Sequence, residues 1–309
     1  MLTIHELVKR YGGFTAVDGL NLEVPDGSIF GFVGPNGAGK TTTMKIMAGL
    51  LQATSGEVLM DGENLIANPR LLHRKMGYMP DFFGVYDNLK VSEYMDFYAG
   101  TYHIPYRDRK DLIASLLDIV DLSHKEDAYV DSLSRGMKQR LCLARSLVHD
   151  PAFLILDEPA SGLDPRARVE MKEVLKGLKT MGKTILISSH ILPELAEMCT
   201  EIGIIDHGKM VAQGSVQEIM RNLSQKRIIM VKPLGQMEKL VHLLEEMPQV
   251  TEVIENTADC EFAFDGSEEE LAEVLKRLIG QEIPLLAFYE KEGNLEEIFM
   301  RVTGGVQEL

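Results

Sequence analysis

Nine consecutive residues, Gly34, Pro35, Asn36, Gly37, Ala38, Gly39, Lys40, Thr41 and Thr42, combine bare backbone, one ammonium group and two hydroxyls. The spacing G-x-x-x-x-G-K-[ST] suits a polyphosphate. Glycines let the backbone wrap phosphate oxygens with its N–H groups inward, and a helix starting there adds positive potential. Lys40 supplies charge for β- and γ-phosphates, and Thr41 a hydroxyl for Mg²⁺. A second group closes the apolar run "FLILDE". Asp157 suits a metal shell, and Glu158 suits polarising a water at the γ-phosphate. In strand geometry neighbouring side chains diverge, so the two acids would serve different partners. His190 ends "TILISSH", on a sheet edge where ligands gather, and is a candidate for contacting the same phosphate.

Those residues need a scaffold that brings several strand ends together. "SIFGFVG", "AFLILDE" and "KTILISSH" read as strands buried on both faces, each followed by a helical pattern, from Gly39, Asp164 and Ile191. Such alternation predicts an α/β domain, a parallel sheet flanked by helices, over residues 1–222. "IGIIDHGKMVAQG" predicts a hairpin turning at His207 and Gly208. Residues from about 90 to 150 form a helical subdomain in this reading, with no clear strand before Val130. After "NLSQK" the style changes. Strand-like and helical segments over 227–309 follow the order β-α-β-β-α-β, a small α+β ferredoxin-like unit. Ser267 with Glu270 predicts a capping box, and a last helix is expected from Asn294, with Glu297 three places on.

The chain carries 32 basic and 47 acidic residues, a net charge of −15. That balance argues against nucleic acid as a partner and against direct attraction to an anionic bilayer. Eight basic and 18 acidic residues lie from Lys226 onward, so the second domain is expected to be a solvated regulatory or docking module without catalysis. Cys142, Cys199 and Cys260 are too scattered for a metal or redox pair and read as buried thiols. No signal peptide or spanning segment is evident, which predicts a cytoplasmic chain reaching a membrane only through another protein.

Taken in order, these motifs resemble the ATP-binding subunit of ABC transporters over about residues 1–220. The loop from Gly34 to Thr42 is similar to the Walker A motif and Phe153 to Glu158 to Walker B. Tyr11 resembles the aromatic residue that stacks on adenine, "SGLD" the D-loop with Asp164, and His190 the switch histidine. "LSRGM" resembles the signature sequence, usually Leu-Ser-Gly-Gly-Gln. Ser134 would cap a helix whose Met137, Leu141, Ala144 and Val148 bury one face. The resemblance implies a P-loop NTPase fold, a Mg²⁺-dependent ATPase, and a head-to-tail homodimer. In that dimer Ser134, Arg135 and Gly136 meet ATP held by the other copy, while separate membrane permease subunits place the pair on the inner face of the membrane. Two departures stand out. Asp81 occupies the usual glutamine position, where it is expected to join Thr41 and Asp157 around the metal, and Arg135 and Met137 replace glycine and glutamine. Arg135 either adds charge near the shared phosphate or faces solvent. Phe82, Phe83 and Tyr86 are candidates for a permease socket, and "NLEEIFMRVTGG" is similar to the tail of the exporter branch. A regulatory nucleotide clamp without turnover is the alternative reading, which Glu158 disfavours.

Overall fold

The computed structural model describes residues 1–81, 84, 88–223 and 227–291. The expected socket at 82, 83 and 86 and the helix expected from 294 lie outside the described residues. Two compact units are present, Met1–Ile219 and Met220–Leu309.

The first unit begins with a layer absent from the sequence reading. β1 (Leu2–Tyr11) and β2 (Phe14–Val24) form an antiparallel pair. The parallel-sheet strand β3 (Ile29–Val33) follows, then helix α1 (Lys40–Met47). β4 (Ser55–Met60) and β5 (Glu63–Asn64) return to the antiparallel layer, giving the order β2-β1-β4-β5. Leu2, Ile4 and Leu7 of this layer share one apolar cluster with Met44 and Ile46 of α1 and Phe30 and Phe32 of β3. Burial of each such side chain contributes about 1.5–3 kcal/mol, so the layer is a true wall of the core.

Helix α2 (Pro69–Lys75) leads to β6 (Met76–Met79), and the helical insert follows as α3 (Val91–Thr101) and α4 (Tyr106–Ile119). α5 (Arg135–Ser146) feeds β7 (Phe153–Leu156), α6 (Pro165–Thr180) feeds β8 (Thr184–Ser189), and the short α7 (Leu192–Ala196) feeds β9 (Glu201–Asp206). The predicted hairpin is present. β9 turns through His207 and Gly208, both at positive φ, into β10 (Lys209–Ser215). The main sheet runs β10-β9-β3-β8-β7-β6, and every pairing in it is parallel except β10 with β9. All residues of β3, β7 and β8 are buried, as continuous apolar runs between two covered faces require.

α8 (Val216–Leu223) reaches the second unit, which holds β11 (Arg227–Pro233), α9 (Met237–Glu245), β12 (Val250–Glu255), β13 (Cys260–Phe264), α10 (Glu268–Gly280) and β14 (Leu285–Lys291). The sheet order β12-β13-β11-β14, wholly antiparallel, is that of the expected ferredoxin-like unit. Ser267 and Glu270 form the predicted capping box at α10.

Candidate active site

The residues with chemistry gather at the C-terminal ends of β3, β8 and β7, three adjacent parallel strands. Gly39 sits at φ 107°, and a Cβ there would stand 2.6 Å from the Ala16 carbonyl oxygen. Only glycine makes the turn that aims the start of α1 into the loop. Lys40, 6% exposed, donates from Nζ to the carbonyls of Gly34 at 2.6 Å and Pro35 at 3.1 Å, folding its ammonium along the cradle. Burial lowers the Lys40 pKa, against the raising effect of Glu158 and Asp157.

Asp157 is 1% exposed. Its Oδ1 accepts from Thr41 Oγ1 at 3.2 Å and from Ser188 Oγ at 2.7 Å, and Ser188 Oγ also accepts the Glu158 N–H at 2.9 Å. A buried carboxylate whose bonded partners are neutral hydroxyls, one of them on the phosphate loop, is a hard-oxygen donor set that suits Mg²⁺ completed by phosphate and water. Among the described residues no three His, Cys, Asp or Glu side chains converge into a metal cage of their own.

Glu158 turns away from Asp157, as predicted, though for a different reason. The strand ends at Leu156, and Glu158 adopts φ 50°, so a left-handed turn and not strand alternation separates the two acids. His190 Nδ1 lies 3.1 Å from Glu158 Oε1 and 3.2 Å from Oε2. A carboxylate acceptor makes Nδ1–H the donor and leaves Nε2 for another partner. A cavity of about 150 Å³ beside this pair is lined by Ser161, Gly162 and Ser188 among others.

Asp81 follows β6, whose Met79 carbonyl accepts the Asp157 N–H at 2.8 Å, so the sheet sets it beside the strand-end acids. Partial burial, Glu158 and Asp157 raise the Asp81 pKa, while Arg135 and His190 lower it. At the adjoining corner Ser134 Oγ accepts the Met137 N–H at 3.3 Å, the expected cap of α5. Beyond this cap, α5 is buried on more than one face. Leu141, Ala144 and Val148 are buried and Met137 half-buried, but so are Gln139 and Arg140, the latter paired with Asp121 and Glu170 at 3.2 Å each. Gly136 is buried where a Cβ would meet the Ala167 Cβ at 2.9 Å. Arg135, exposed at its edge, lays its guanidinium over Gly162, with Cζ 2.5 Å from the place a Cβ would occupy. Asp164 caps α6 through the Ala167 N–H at 2.9 Å, with Pro165 in the first turn. Tyr11, 47% exposed at the β1–β2 turn, carries Lys9 Nζ 4.9 Å from its ring centre.

The structure therefore brings Lys40, Thr41, Asp157, Glu158, His190 and Asp81 to one edge and sets Ser134, Arg135 and Gly136 on a separate corner joined to the "SGLD" loop. Sequence reasoning missed Ser188, whose only signal was a hydroxyl two places before His190. It also missed the seats provided by Gly162 and Ala167, which no local pattern announces.

A phosphate loop at a parallel-sheet switch point, with strand-end Asp-Glu, defines a P-loop nucleoside triphosphatase. Family comparison makes the class specific. The ABC transporter family model matches residues 17–161, and the model for the C-terminal domain of DrrA1-3-like ATP-binding proteins matches residues 214–303. The Nod factor export ATP-binding protein I of Ralstonia nicotianae is 33% identical over 305 residues, covering 98% of this chain and 94% of that one. The linearmycin resistance ATP-binding protein LnrL of Bacillus subtilis is 30% identical over 306 residues, with 98% of each chain covered. A solved ATP-binding subunit of an ABC transporter superposes with TM-score 0.64 at 28% identity, over 72% of this chain and 93% of its own. The chain belongs to the ABC transporter ATP-binding protein family, and it is an ATPase subunit of that kind.

Proposed function

We propose that this chain hydrolyses ATP with Mg²⁺ as a head-to-tail homodimer beneath separate membrane-spanning subunits, powering export. The observation that carries the reading is the convergence of Lys40, Thr41–Asp157 and Glu158–His190 on one edge, with a capped, exposed Ser134 corner elsewhere. A single chain then holds half of each pocket at two places, and a two-fold axis completes both.

Tyr11 stacks on the adenine, and the backbone from Gly34 to Thr42 wraps the phosphates, with Lys40 releasing its carbonyl partners to meet the β- and γ-oxygens. Mg²⁺, held by Thr41 and Asp157 with Asp81 as a further oxygen, would neutralise charge on the leaving group. Glu158, oriented by the His190 Nδ1–H, accepts a proton from the attacking water, and His190 Nε2 donates to the γ-phosphate. Ser134 and the Gly136 N–H of the second copy stabilise the same oxygens, and Asp164 adjoins that corner. Loss of the γ-phosphate removes the bridge and opens the dimer. Export as the direction is supported by relatives named for Nod factor export and linearmycin resistance. No helix among the described residues is long and apolar enough to cross a membrane, which supports a peripheral seat on the inner face through permease subunits. In this reading the unit from 227 onward is an acidic accessory module and nucleic acid is not a partner.

The test is Glu158→Gln. Turnover falls by about 100-fold or more while ATP binding persists and the dimer becomes stable on size exclusion. A parent without turnover, whose ATP-dependent dimerisation is the same with or without Glu158→Gln, would favour a nucleotide clamp.

A further inference from the structure

Gln139 is an amide in a place that an apolar side chain would fill with less opposition to folding. It lies on α5 and is 2% exposed. Its Nε2 donates to the Ser161 carbonyl at 3.1 Å, and its Oε1 is buried with no hydrogen-bond partner. Turning the amide over would set Oε1 against a carbonyl oxygen and lose the bond it makes, so the orphaned acceptor comes with the donation. A buried acceptor left unsatisfied opposes folding, whereas an apolar chain of the same shape does not. Packing alone therefore does not account for glutamine at this position. The donation to Ser161 does.

That donation reaches a strained piece of backbone. Glu158 stands at φ 50°, a region that residues other than glycine seldom adopt and that persists only where the surroundings over-determine it. Its N–H donates to Ser188 Oγ at 2.9 Å, and its carbonyl accepts the Ser161 N–H at 3.0 Å. Ser161 is thus gripped on both sides, by Glu158 at its N–H and by Gln139 at its carbonyl. Close packing of Gly136 against Ala167, where a Cβ at 136 would meet the Ala167 Cβ at 2.9 Å, keeps α5 against α6 beside this loop.

We propose that Gln139 is a positioning residue for the general base: from α5 it fixes the loop that begins at Glu158, and so holds Glu158 in the left-handed turn that presents its carboxylate to His190. The helix whose Ser134 cap forms the exposed corner thereby also sets the base of its own chain. The inference rests on the ATPase reading above.

Gln139→Met in the full-length chain tests it, because methionine keeps the unbranched length and helix propensity of glutamine and removes both polar atoms. Ser161 is half-buried, so water can take up its freed carbonyl. The variant lowers kcat by about tenfold with KM for ATP changed less than about twofold, while the melting temperature stays within about 2 °C of the parent or rises. Gln139→Glu keeps the shape but, when ionised, only accepts, and it loses at least as much kcat. In the Glu158→Gln background, Gln139→Met slows single-turnover hydrolysis by less than about twofold, because the group being positioned is already gone. Parental kcat in either variant would overturn the proposal, as would a melting temperature of Gln139→Met lowered by more than about 2 °C. A loss of about tenfold that persists in the Glu158→Gln background would also overturn it, by placing the action of Gln139 elsewhere in the pocket. A parent protein that binds trinitrophenyl-ATP without turning over ATP would instead overturn the ATPase reading.

Discussion

At the scale of single residues, Ser188 is the side chain that ties the two acids into one unit. Its hydroxyl donates to Asp157 and accepts from the Glu158 backbone, so Ser188→Ala removes both restraints at once. We predict a fall in kcat of about 10–100-fold, with KM for ATP changed less than about threefold and a higher Mg²⁺ concentration needed for half-maximal rate. Steady-state kinetics across a Mg²⁺ titration checks this, and an unchanged kcat would contradict it. Lys40, Asp157, Glu158 and His190 were legible because each sits at a fixed offset from an apolar strand. Ser188 was not, because its importance comes from two hydrogen bonds across the sheet that no spacing encodes. Arg135 was read as facing either phosphate or solvent; it is exposed, and the resting place of its guanidinium on Gly162 is a detail that needed the fold.

Among the elements, α5 shows how far local pattern carries. Its cap and its apolar stripe were predictable, but the burial of Gln139 and Arg140 follows from being enclosed by the helical insert and α6. Gly136→Ala places a methyl 2.9 Å from the Ala167 Cβ, and overpacking of this kind costs about 1–3 kcal/mol. A melting temperature lowered by roughly 2–6 °C is expected, and no shift would show that α5 and α6 can separate freely. In the second unit, Ser267→Ala removes the side-chain half of a capping box and costs about 1 kcal/mol. Urea unfolding followed within that unit reads the loss, with ATPase activity unchanged. The parallel strands were legible as continuous apolar runs. The antiparallel layer was not, because β1 shifts register between Ile4 and Leu7 and again before Lys9 and Arg10, with Glu6 at φ 46°. Those irregularities erase the alternation by which a half-exposed strand is recognised.

Across the whole molecule, the three thiols behave as interior groups. Burial pushes Cys142 up to about 11, Cys199 up to about 12 and Cys260 up to about 11, with nearby carboxylates adding to the last. The unfolded chain, with ordinary thiols near 8.5, releases these protons at lower pH than the folded chain. The thiols' contribution to stability is therefore constant below about pH 8 and is lost as pH rises toward 11. Native protein is expected to resist a thiol reagent at pH 7.5 and to react at all three cysteines in urea; fast reaction of the folded protein would contradict this. The charge asymmetry was legible directly, whereas the proposed pocket between copies would rest on surface corners that only a second chain can complete. A mixing experiment addresses that sharing. Copies carrying Lys40→Ala and copies carrying Ser134→Phe are each inactive alone, and when combined in equal amounts they form hybrid dimers with one intact pocket. The account predicts recovery of about a quarter of parental ATPase activity on mixing, from half the dimers with half their pockets working. No recovery, or full activity of either variant by itself, would contradict it.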